Sequence, residues 1–320
     1  MAEIICLPAD LLRDKLKTLL AAVESRLNSA VKQDVSSLAQ GHMNARTASF
    51  YHLNSGGRRV RARLALAAGL ALGLTKDDAI CIASCAELLH NASLVHDDIQ
   101  DRDVVRRGQA AVWFEFGTNV AICTGDFLLS AAYGVLSTIS QPLLLPALLN
   151  LLHERTATAI DGQCADLATL GGQSAGLAAY LQIATAKSGA LLSLPLELAL
   201  LAAGRPDAAG MARQACENLA ISYQILDDLQ DLEADSALVE GCVDQTQSFN
   251  IVCVLCSPNG LTSMGLKTEA MASAQTLALE HLTRCDSLAA QLPSGSGSQL
   301  RDLSAELRGL LNAQAWLEKR

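Results

Sequence analysis

The chain is organised around the stretch His96-Asp97-Asp98-Ile99-Gln100-Asp101, which places three carboxylates within five residues directly after an apolar run. On a helix, residues i and i+4 share a face, so Asp97 and Asp101 would repel each other unless a cation lies between them. The same form recurs at Asp227-Asp228-Leu229-Gln230-Asp231, again behind an apolar run. One such cluster is usually a solvated helix end, whereas two copies of one form predict two halves of a cation site.

The composition predicts packed helices. Of the 320 residues, 50% are hydrophobic but only 3% are aromatic, and the dominant Ala and Leu favour helices over strands. No linker rich in Pro, Gly or charge divides the chain, so we expect one domain over residues 1–320. The net charge of -9 argues against a nucleic-acid partner, since a phosphate backbone requires a basic surplus.

Sequence features also favour a cytoplasmic location. The ten cysteines are scattered singly, which is typical of reduced thiols. Residues 1–9 contain no basic segment followed by a long apolar core, and no uninterrupted apolar run reaches about 18 residues. We therefore expect no leader and no transmembrane segment.

Apolar residues recur with a period near 3.6, which predicts a succession of amphipathic or buried helices. Thr75 is the expected N-cap of the helix that carries the first acid cluster, with acidic residues in its first turn. The segment 293–298, Pro-Ser-Gly-Ser-Gly-Ser, is flexible by composition. The other predicted helices cover 10–33, 35–52, 64–74, 118–139, 141–162, 175–204, 208–234, 249–256, 268–292 and 299–317.

Local concentrations of positive charge suggest an anion as the second component of the site. Gly56-Gly57 is followed by four arginines within six residues, 58–63, at a predicted helix start. Arginine is unfavourable there unless a phosphate binds. Arg106 and Arg107 follow the first acid cluster, and Lys187 lies inside an apolar helix, either as a snorkelling surface residue or as an anion ligand. Carboxylates and arginines together suggest a diphosphate bound with Mg²⁺.

These motifs resemble those of the all-trans isoprenyl diphosphate synthases, or polyprenyl synthetases, from Gly56 to about Asp235 and more weakly to the C-terminus. The two acid clusters match the two DDxxD motifs of that family. Its Gly-Gly-Lys-Arg-x-Arg segment is similar to residues 56–61, with Arg58 in place of the lysine. Further matches are Glu87-Leu88-Leu89-His90, Arg106-Arg107-Gly108, Gly125-Asp126, Gly162-Gln163, Lys187-Ser188 and Tyr223-Gln224.

The resemblance implies an all-α fold, a single-domain helical bundle of the isoprenoid synthase type around a deep apolar cavity, usually dimeric. It implies a Mg²⁺-dependent prenyltransferase that condenses isopentenyl diphosphate with an allylic diphosphate by ionisation, condensation and deprotonation. Three Mg²⁺ ions would be bound through Asp97, Asp101, Asp227 and, through water, Asp231.

The resemblance also assigns substrate roles. Isopentenyl diphosphate would be held by Arg58, Arg61, His90 and Arg107, although a histidine in an apolar helix is more often a satisfied core residue. The allylic diphosphate would be held by Arg106, Lys187, Ser188 and Gln224. Together with Asp97, Asp101 and Asp227, the residues Arg106 and Lys187 are the expected catalytic residues.

The segment after the second acid motif departs from the family. Family members carry two lysines there, but residues 236–250 contain none, only Gly241 and Asp244 correspond, and Gln247 lies near the second lysine position. The loss of two cations beside a leaving diphosphate costs transition-state stabilisation. Two alternatives follow: a lyase or prenyltransferase that does not use isopentenyl diphosphate in the usual way, and a non-catalytic diphosphate-binding subunit.

Small residues before the first acid motif bear on product length. In the family a bulky aromatic residue four or five positions before the motif closes the cavity, whereas Ser93 and Ala92 occupy those positions here. Leu89, Leu88 and Cys85 could form a lower floor on the same helix. The predicted product is geranylgeranyl diphosphate or longer.

Overall fold

The computed structural model describes residues 9–32, 44–169, 176–238, 249–256 and 264–313. Within these ranges the chain is helical apart from one two-stranded hairpin, which confirms the all-α prediction. It forms two compact units, one of Met1–Leu151 with Leu198–Gly204 and one of Leu152–Glu197 with Arg205–Arg320. The expectation of one domain over 1–320 stays a prediction.

The first unit is built around a long apolar helix that ends in the first acid motif. This helix, α4, packs against α1, α3 and α6. As predicted, Thr75 is its N-cap and accepts a hydrogen bond from Asp78 N at 3.1 Å. The elements of this unit are α1 Ala9–Val31, α2 Ala45–Leu53, α3 Val60–Ala71, α4 Lys76–Asp101, β1 Val105–Arg106, β2 Gln109–Ala110, α5 Val112–Phe116, α6 Thr118–Leu136 and the start of α7 Leu145–Thr169.

The second unit is built around the helix that carries the second acid motif. This helix, α10, packs against α12, which also contacts α13. Its elements are the rest of α7, α8 Leu177–Ala184, a π-helical turn Thr185–Gly189, α9 Ala190–Ala202 as far as Glu197, α10 Ala209–Leu238, α11 Ile251–Cys256, α12 Met264–Ala290 and α13 Ser298–Ala313.

Several regions differ from the sequence prediction, among them 175–204, which was predicted as one helix and is interrupted by the π-helical turn Thr185–Gly189. The second helix begins at Ala45, where Asn44 accepts a hydrogen bond from Thr47 N at 3.0 Å, and the predicted start near 35 lies outside the described residues. The hairpin of β1 and β2 was not predicted; Arg107 and Gly108 form its turn with φ of 54° and 79°. Segment 293–298 forms a compact turn in which Ser296 is buried.

By length and composition alone, three of the described helical stretches are apolar enough to cross a membrane. Two of them, Lys76–Asp101 and Leu177–Ala202, have 72% and 78% of their apolar window buried inside the protein, as core helices do. The third, α6, has only 39% buried and therefore presents an apolar face.

Candidate functional site

The first acid motif divides into one inward and two outward carboxylates. Asp98 is fully buried, and its Oδ1 accepts a hydrogen bond from Arg106 Nε at 2.6 Å. Burial raises the pKa of Asp98, and the hydrogen bond from Arg106 opposes that rise. Asp97 is partly exposed and Asp101 is exposed.

The arginines that open α3 also divide into inward and outward groups. Arg59 has a left-handed φ of 48° and is buried, with its Nε 2.5 Å from Glu24 Oε1 and its Nη1 3.8 Å from Glu87 Oε2. Arg59 therefore anchors α3. Arg58, the residue before Arg59, is exposed, and Arg61, two residues after Arg59, is partly exposed. Their role as anion ligands stays a prediction.

The two glycines before these arginines fix the position of Arg107. Arg107 Nη1 donates to the carbonyl of Gly56 at 2.5 Å and lies 3.5 Å from Asn91 Oδ1. Gly57 has a φ of 123°, and a Cβ there would lie 2.8 Å from Arg107 Cζ. Only glycine at position 57 lets the guanidinium lie against the backbone.

Two histidines border this arginine cluster, His52, which is buried, and His90, which is half-buried. His90 Nδ1 and His52 Nε2 are buried and have no hydrogen-bond partner among the described residues. Burial first, and then the charges of Arg107, Arg106 and Arg59, lower the pKa of His52 to about 3. Burial and the charges of Arg61 and Arg107 likewise hold the pKa of His90 well below its usual value. The cluster is a locally positive site in a chain of net charge -9, and it fits a multiply charged anion.

His52 was missed by the sequence analysis. It lies at the end of α2, five residues before Gly57, and no local pattern marks it. The arginines that add to burial in lowering its pKa, Arg107 and Arg106, lie in another segment and reach it only after the helices pack. The nearest signal in the sequence is the glycine pair Gly56-Gly57, which begins four residues after His52.

His96, the residue before the first acid motif, explains the pair Gly125-Asp126. Its ring occupies the space where a Cβ on Gly125 would lie, and its Nε2 is 3.6 Å from Asp126 Oδ1. Gly125 therefore allows α6 to approach the end of α4 closely.

The second acid motif also has one inward carboxylate. Asp228 is buried and accepts hydrogen bonds from Tyr180 Oη at 2.8 Å, Ile251 N at 2.8 Å and Gln224 Nε2 at 2.9 Å. Burial raises its pKa to about 6 against these hydrogen bonds. Burial, followed by the charges of Asp231 and Asp228, raises the pKa of Asp227 to about 7.

Lys187 lies in the π-helical turn and pairs with an acid of the same unit. Its Nζ is 2.7 Å from Asp166 Oδ2, and its side chain is 26% exposed. Gly162 lies directly against the backbone nitrogen of Lys187, so that a Cβ on Gly162 would overlap it. Gln224 is bound to Asp228 and Arg106 to Asp98. The substrate roles of Lys187, Ser188, Gln224 and Arg106 stay predictions.

The donor set of each motif by itself fits a divalent cation that keeps water and substrate oxygens. Among the described residues, no group of three or more His, Cys, Asp or Glu side chains is placed to hold a metal by itself. Mg²⁺ commonly binds through one or two carboxylates and completes its shell with phosphate oxygens and water. A cation would also stabilise the ionised form of Asp227, which burial now disfavours.

The predicted chain-length residues lie on α4 ahead of the acid motif. Ala92 and Leu89 are both 3% exposed, and Ser93 Oγ donates to the carbonyl of His90 at 2.8 Å. Their role stays a prediction. Gly241, Asp244 and Gln247 lie outside the described residues.

Comparison with known proteins identifies the family. Residues 43–247 match the family model described as polyprenyl synthetase. The chain belongs to the polyprenyl synthetase family. This match spans both acid motifs and the arginine cluster, and it confirms the resemblance seen in the sequence.

Individual polyprenyl synthetases show how far the similarity extends. A (2E,6E)-farnesyl diphosphate synthase of Mycobacterium tuberculosis is 36% identical over 177 residues, which cover 55% of this chain and 49% of that protein. This chain thus spans about half the length of the mycobacterial relatives that it matches. A geranylgeranyl diphosphate synthase of Methanosarcina mazei is 29% identical over 248 residues, 75% of this chain and 76% of that protein.

Among solved structures, a geranylgeranyl pyrophosphate synthetase from Pyrococcus horikoshii shares the fold. It superposes with a TM-score of 0.80 at 22% identity and covers 93% of this chain and 98% of its own. The all-α isoprenoid synthase architecture predicted from the sequence is therefore confirmed.

Proposed function

We propose that the protein is a Mg²⁺-dependent trans-prenyltransferase that joins isopentenyl diphosphate to an allylic diphosphate. The observation that carries this proposal is the arginine and histidine cluster beside the first acid motif. Two of its relatives, a farnesyl and a geranylgeranyl diphosphate synthase, support the same chemistry.

Isopentenyl diphosphate is the proposed ligand of the cluster formed by Arg58, Arg61, His90 and Arg107. Arg107 is already held by the carbonyl of Gly56, so little side-chain entropy is lost when the anion binds. A bound diphosphate would also accept a hydrogen bond from His90, whose Nδ1 has no hydrogen-bond partner among the described residues.

Mg²⁺ would be held by four carboxylates, those of Asp97, Asp101, Asp227 and Asp231. Three ions are expected when substrate is bound. When bound, the ions neutralise the charge that builds on the departing diphosphate. Asp98 and Asp228 are left out of this set because each is buried and already hydrogen-bonded.

The proposed reaction breaks one C–O bond and forms one C–C bond. Arg106, Lys187, Ser188 and Gln224 orient the allylic diphosphate, whose C–O electron pair leaves with the diphosphate. The double bond of isopentenyl diphosphate then attacks the allylic cation, and the released diphosphate accepts the proton that restores a double bond. Buried apolar residues of α4 exclude water from the cation.

The missing lysines of segment 236–250 favour a second candidate, an enzyme that ionises an allylic diphosphate without using isopentenyl diphosphate in the usual way. A non-catalytic diphosphate-binding subunit is the third. One assay separates them: protein, Mg²⁺, labelled isopentenyl diphosphate and each allylic diphosphate in turn, with products identified by mass. Elongation supports the first, allylic consumption without incorporation supports the second, and no turnover supports the third.

The proposed product is geranylgeranyl diphosphate or longer. The reason is that Ala92 and Ser93 are small residues at the positions where family members carry the bulky aromatic residue that closes the cavity. Ala92→Phe should shorten the product, and Ser137→Phe, on the exposed end of α6, is the control. Wild-type products no longer than fifteen carbons would contradict this length.

We further propose a cytoplasmic homodimer in which the apolar face of α6 is covered by a second copy. Ile122 on α6 is 46% exposed and Phe114 on α5 is 61% exposed. Light scattering of the purified protein should give twice the chain mass, and Ile122→Glu should give the single mass.

A further inference from the structure

We infer that Asp228 is a positioning residue that ties three segments together, and not a metal ligand as the outward aspartates of the proposed site are. The inference rests on the proposed function for its kinetic part. The three hydrogen bonds to its side chain carry the structural part.

Both oxygens of Asp228 are already engaged. Oδ2 accepts from Tyr180 Oη and from Ile251 N, each at 2.8 Å, and Oδ1 accepts from Gln224 Nε2 at 2.9 Å. The residue is 6% exposed. Oδ2 already holds two donors, so a metal could bind there only after one donor was displaced and left buried without a partner, which is costly. At Oδ1 a metal would have to share the oxygen with Gln224, on a residue that is almost closed to solvent.

The donors come from three different segments. Tyr180 belongs to α8, which leads into the π-helical turn with Lys187, Gln224 belongs to α10, and Ile251 begins α11. Asn250 strengthens the last connection, because its Nδ2 donates to the backbone carbonyl of Asp228 at 2.8 Å. Asp228 therefore fixes the chain on both sides of residues 239–248 as well as α8.

The buried side of α10 determines which carboxylates remain available. Asp227 and Asp231 lie four positions apart and share a helix face. Asp228 is rotated from Asp227 by about 100° around the helix axis. Because Asp228 is held inward by Tyr180 and Ile251, the rotation of α10 about its own axis is fixed, and this fixes the direction of Asp227.

The chemistry of asparagine makes the inference testable. An Asn at 228 can accept from Tyr180 and Ile251 through Oδ1 and donate to Gln224 through Nδ2 once the Gln224 amide turns over. The network survives without its charge. An Asn at 227 instead removes a charged oxygen from the proposed cation site, so the two isosteric changes should differ.

The experiment compares Asp228→Asn, Asp228→Ala and Tyr180→Phe with Asp227→Asn as the matched control. Hydrogen exchange of the Ile251 and Val252 amides should stay slow in Asp228→Asn and become faster in Asp228→Ala, with Tyr180→Phe between them. In steady-state kinetics, Asp228→Asn should stay within about threefold of wild type in kcat and in the Mg²⁺ concentration for half-maximal rate, whereas Asp227→Asn should lose about 10³-fold in kcat.

Two results would overturn the inference. One is an Asp228→Asn variant that matches Asp227→Asn in lost kcat and in raised Mg²⁺ requirement, which would make Asp228 a ligand. The other is unchanged amide exchange in Asp228→Ala, which would show that nothing is held by this residue. If wild type forms no product, the proposed function fails, and the exchange comparison still decides whether Asp228 positions these segments.

Discussion

The two acid motifs have the same sequence form, but different kinds of hydrogen-bond donor bind the buried aspartate of each. Asp98 is bound by the guanidinium of Arg106, whereas Asp228 is bound by a phenol, an amide side chain and a backbone N–H, all uncharged. The first motif therefore carries its own counter-charge. The second leaves negative charge in a buried place, which is where the pKa of Asp227 rises to about 7.

This difference indicates that the motifs depend on a cation to different degrees. Around the first, the guanidinium of Arg106 offsets Asp98, and the charges of Arg107, Arg106 and Arg59 add to burial in lowering the pKa of His52. Around the second, an added cation would offset Asp227, whose pKa burial raises to about 7. The variants below test the contrast, from the largest expected effect to the smallest.

Loss of an outward carboxylate should have the largest effect. Asp97→Asn is expected to lower kcat about 10³-fold, equal to about 4 kcal/mol, because it removes a proposed cation ligand. Elongation assays measure this, and Asp77→Asn, an exposed acid in the first turn of the same helix, is the control with little change. If Asp97→Asn were nearly as active as wild type while Asp227→Asn was inactive, only the second motif would bind cations.

Removal of the counter-charge of the first motif should destabilise the protein. Arg106→Gln leaves Asp98 buried with its charge unpaired, and we expect a loss of about 2–3 kcal/mol in unfolding free energy, below the usual range for buried pairs because Arg106 is partly exposed. Urea unfolding measures the loss.

The control for this variant is Arg205→Gln, which breaks an exposed pair with Asp207 and should leave stability unchanged. Addition of Asp98→Asn to Arg106→Gln should restore part of the loss. No recovery in the double variant would mean that Arg106 stabilises through packing and not through charge.

Burial of His52 beside three arginines should make the stability of the protein sensitive to acid. The pKa of folded His52 is about 3, below the unfolded value of 6.5. Below pH 6.5 the unfolded chain therefore takes up the proton first, and stability present above pH 6.5 falls by about 1.4 kcal/mol per pH unit. Between pH 6.5 and 5 the expected loss is about 2 kcal/mol.

Unfolding of wild type and of His52→Gln across this range measures that contribution. Each protein is compared with its own stability at pH 7.5, so a constant cost of the substitution cancels. Equal slopes for the two proteins would show that His52 accepts a proton in the folded state without penalty.

Loss of one neutral donor at the second motif should have the smallest effect. Tyr180→Phe removes the phenol bound to Asp228, for an expected loss of about 1.5 kcal/mol, because Ile251 N and Gln224 remain. Tyr51→Phe, which removes a bond to the carbonyl of Ala110, is the reference and should cost about 1 kcal/mol or less. A Tyr180→Phe loss larger than that of Arg106→Gln would reverse the contrast between the motifs.

The sequence predicted those features that depend on local spacing. Helix periodicity located α4 and α10, Thr75 marked a helix start, and repetition of the acid cluster identified the family. The arginines also came from local density. Each of these signals is complete within a few helical turns.

Features that depend on packing could not be predicted in the same way. Asp97 and Asp98 are identical residues in sequence, and only burial separates an outward carboxylate from an inward one. His52 and Tyr180 acquire their partners from distant segments. Gly297 suggested flexibility by composition, yet a Cβ there would overlap the carbonyl of Ala289, so it serves close packing.

The π-helical turn at Thr185–Gly189 makes the number of residues between α8 and α9 important. A π turn holds one residue more than an α turn, so its two flanking helices differ in phase from one uninterrupted helix. A one-residue deletion there would rotate α8 by about 100° relative to α9 and carry Tyr180 away from Asp228. In this helix, a gap in an alignment is therefore a more telling sign of altered chemistry than a substitution.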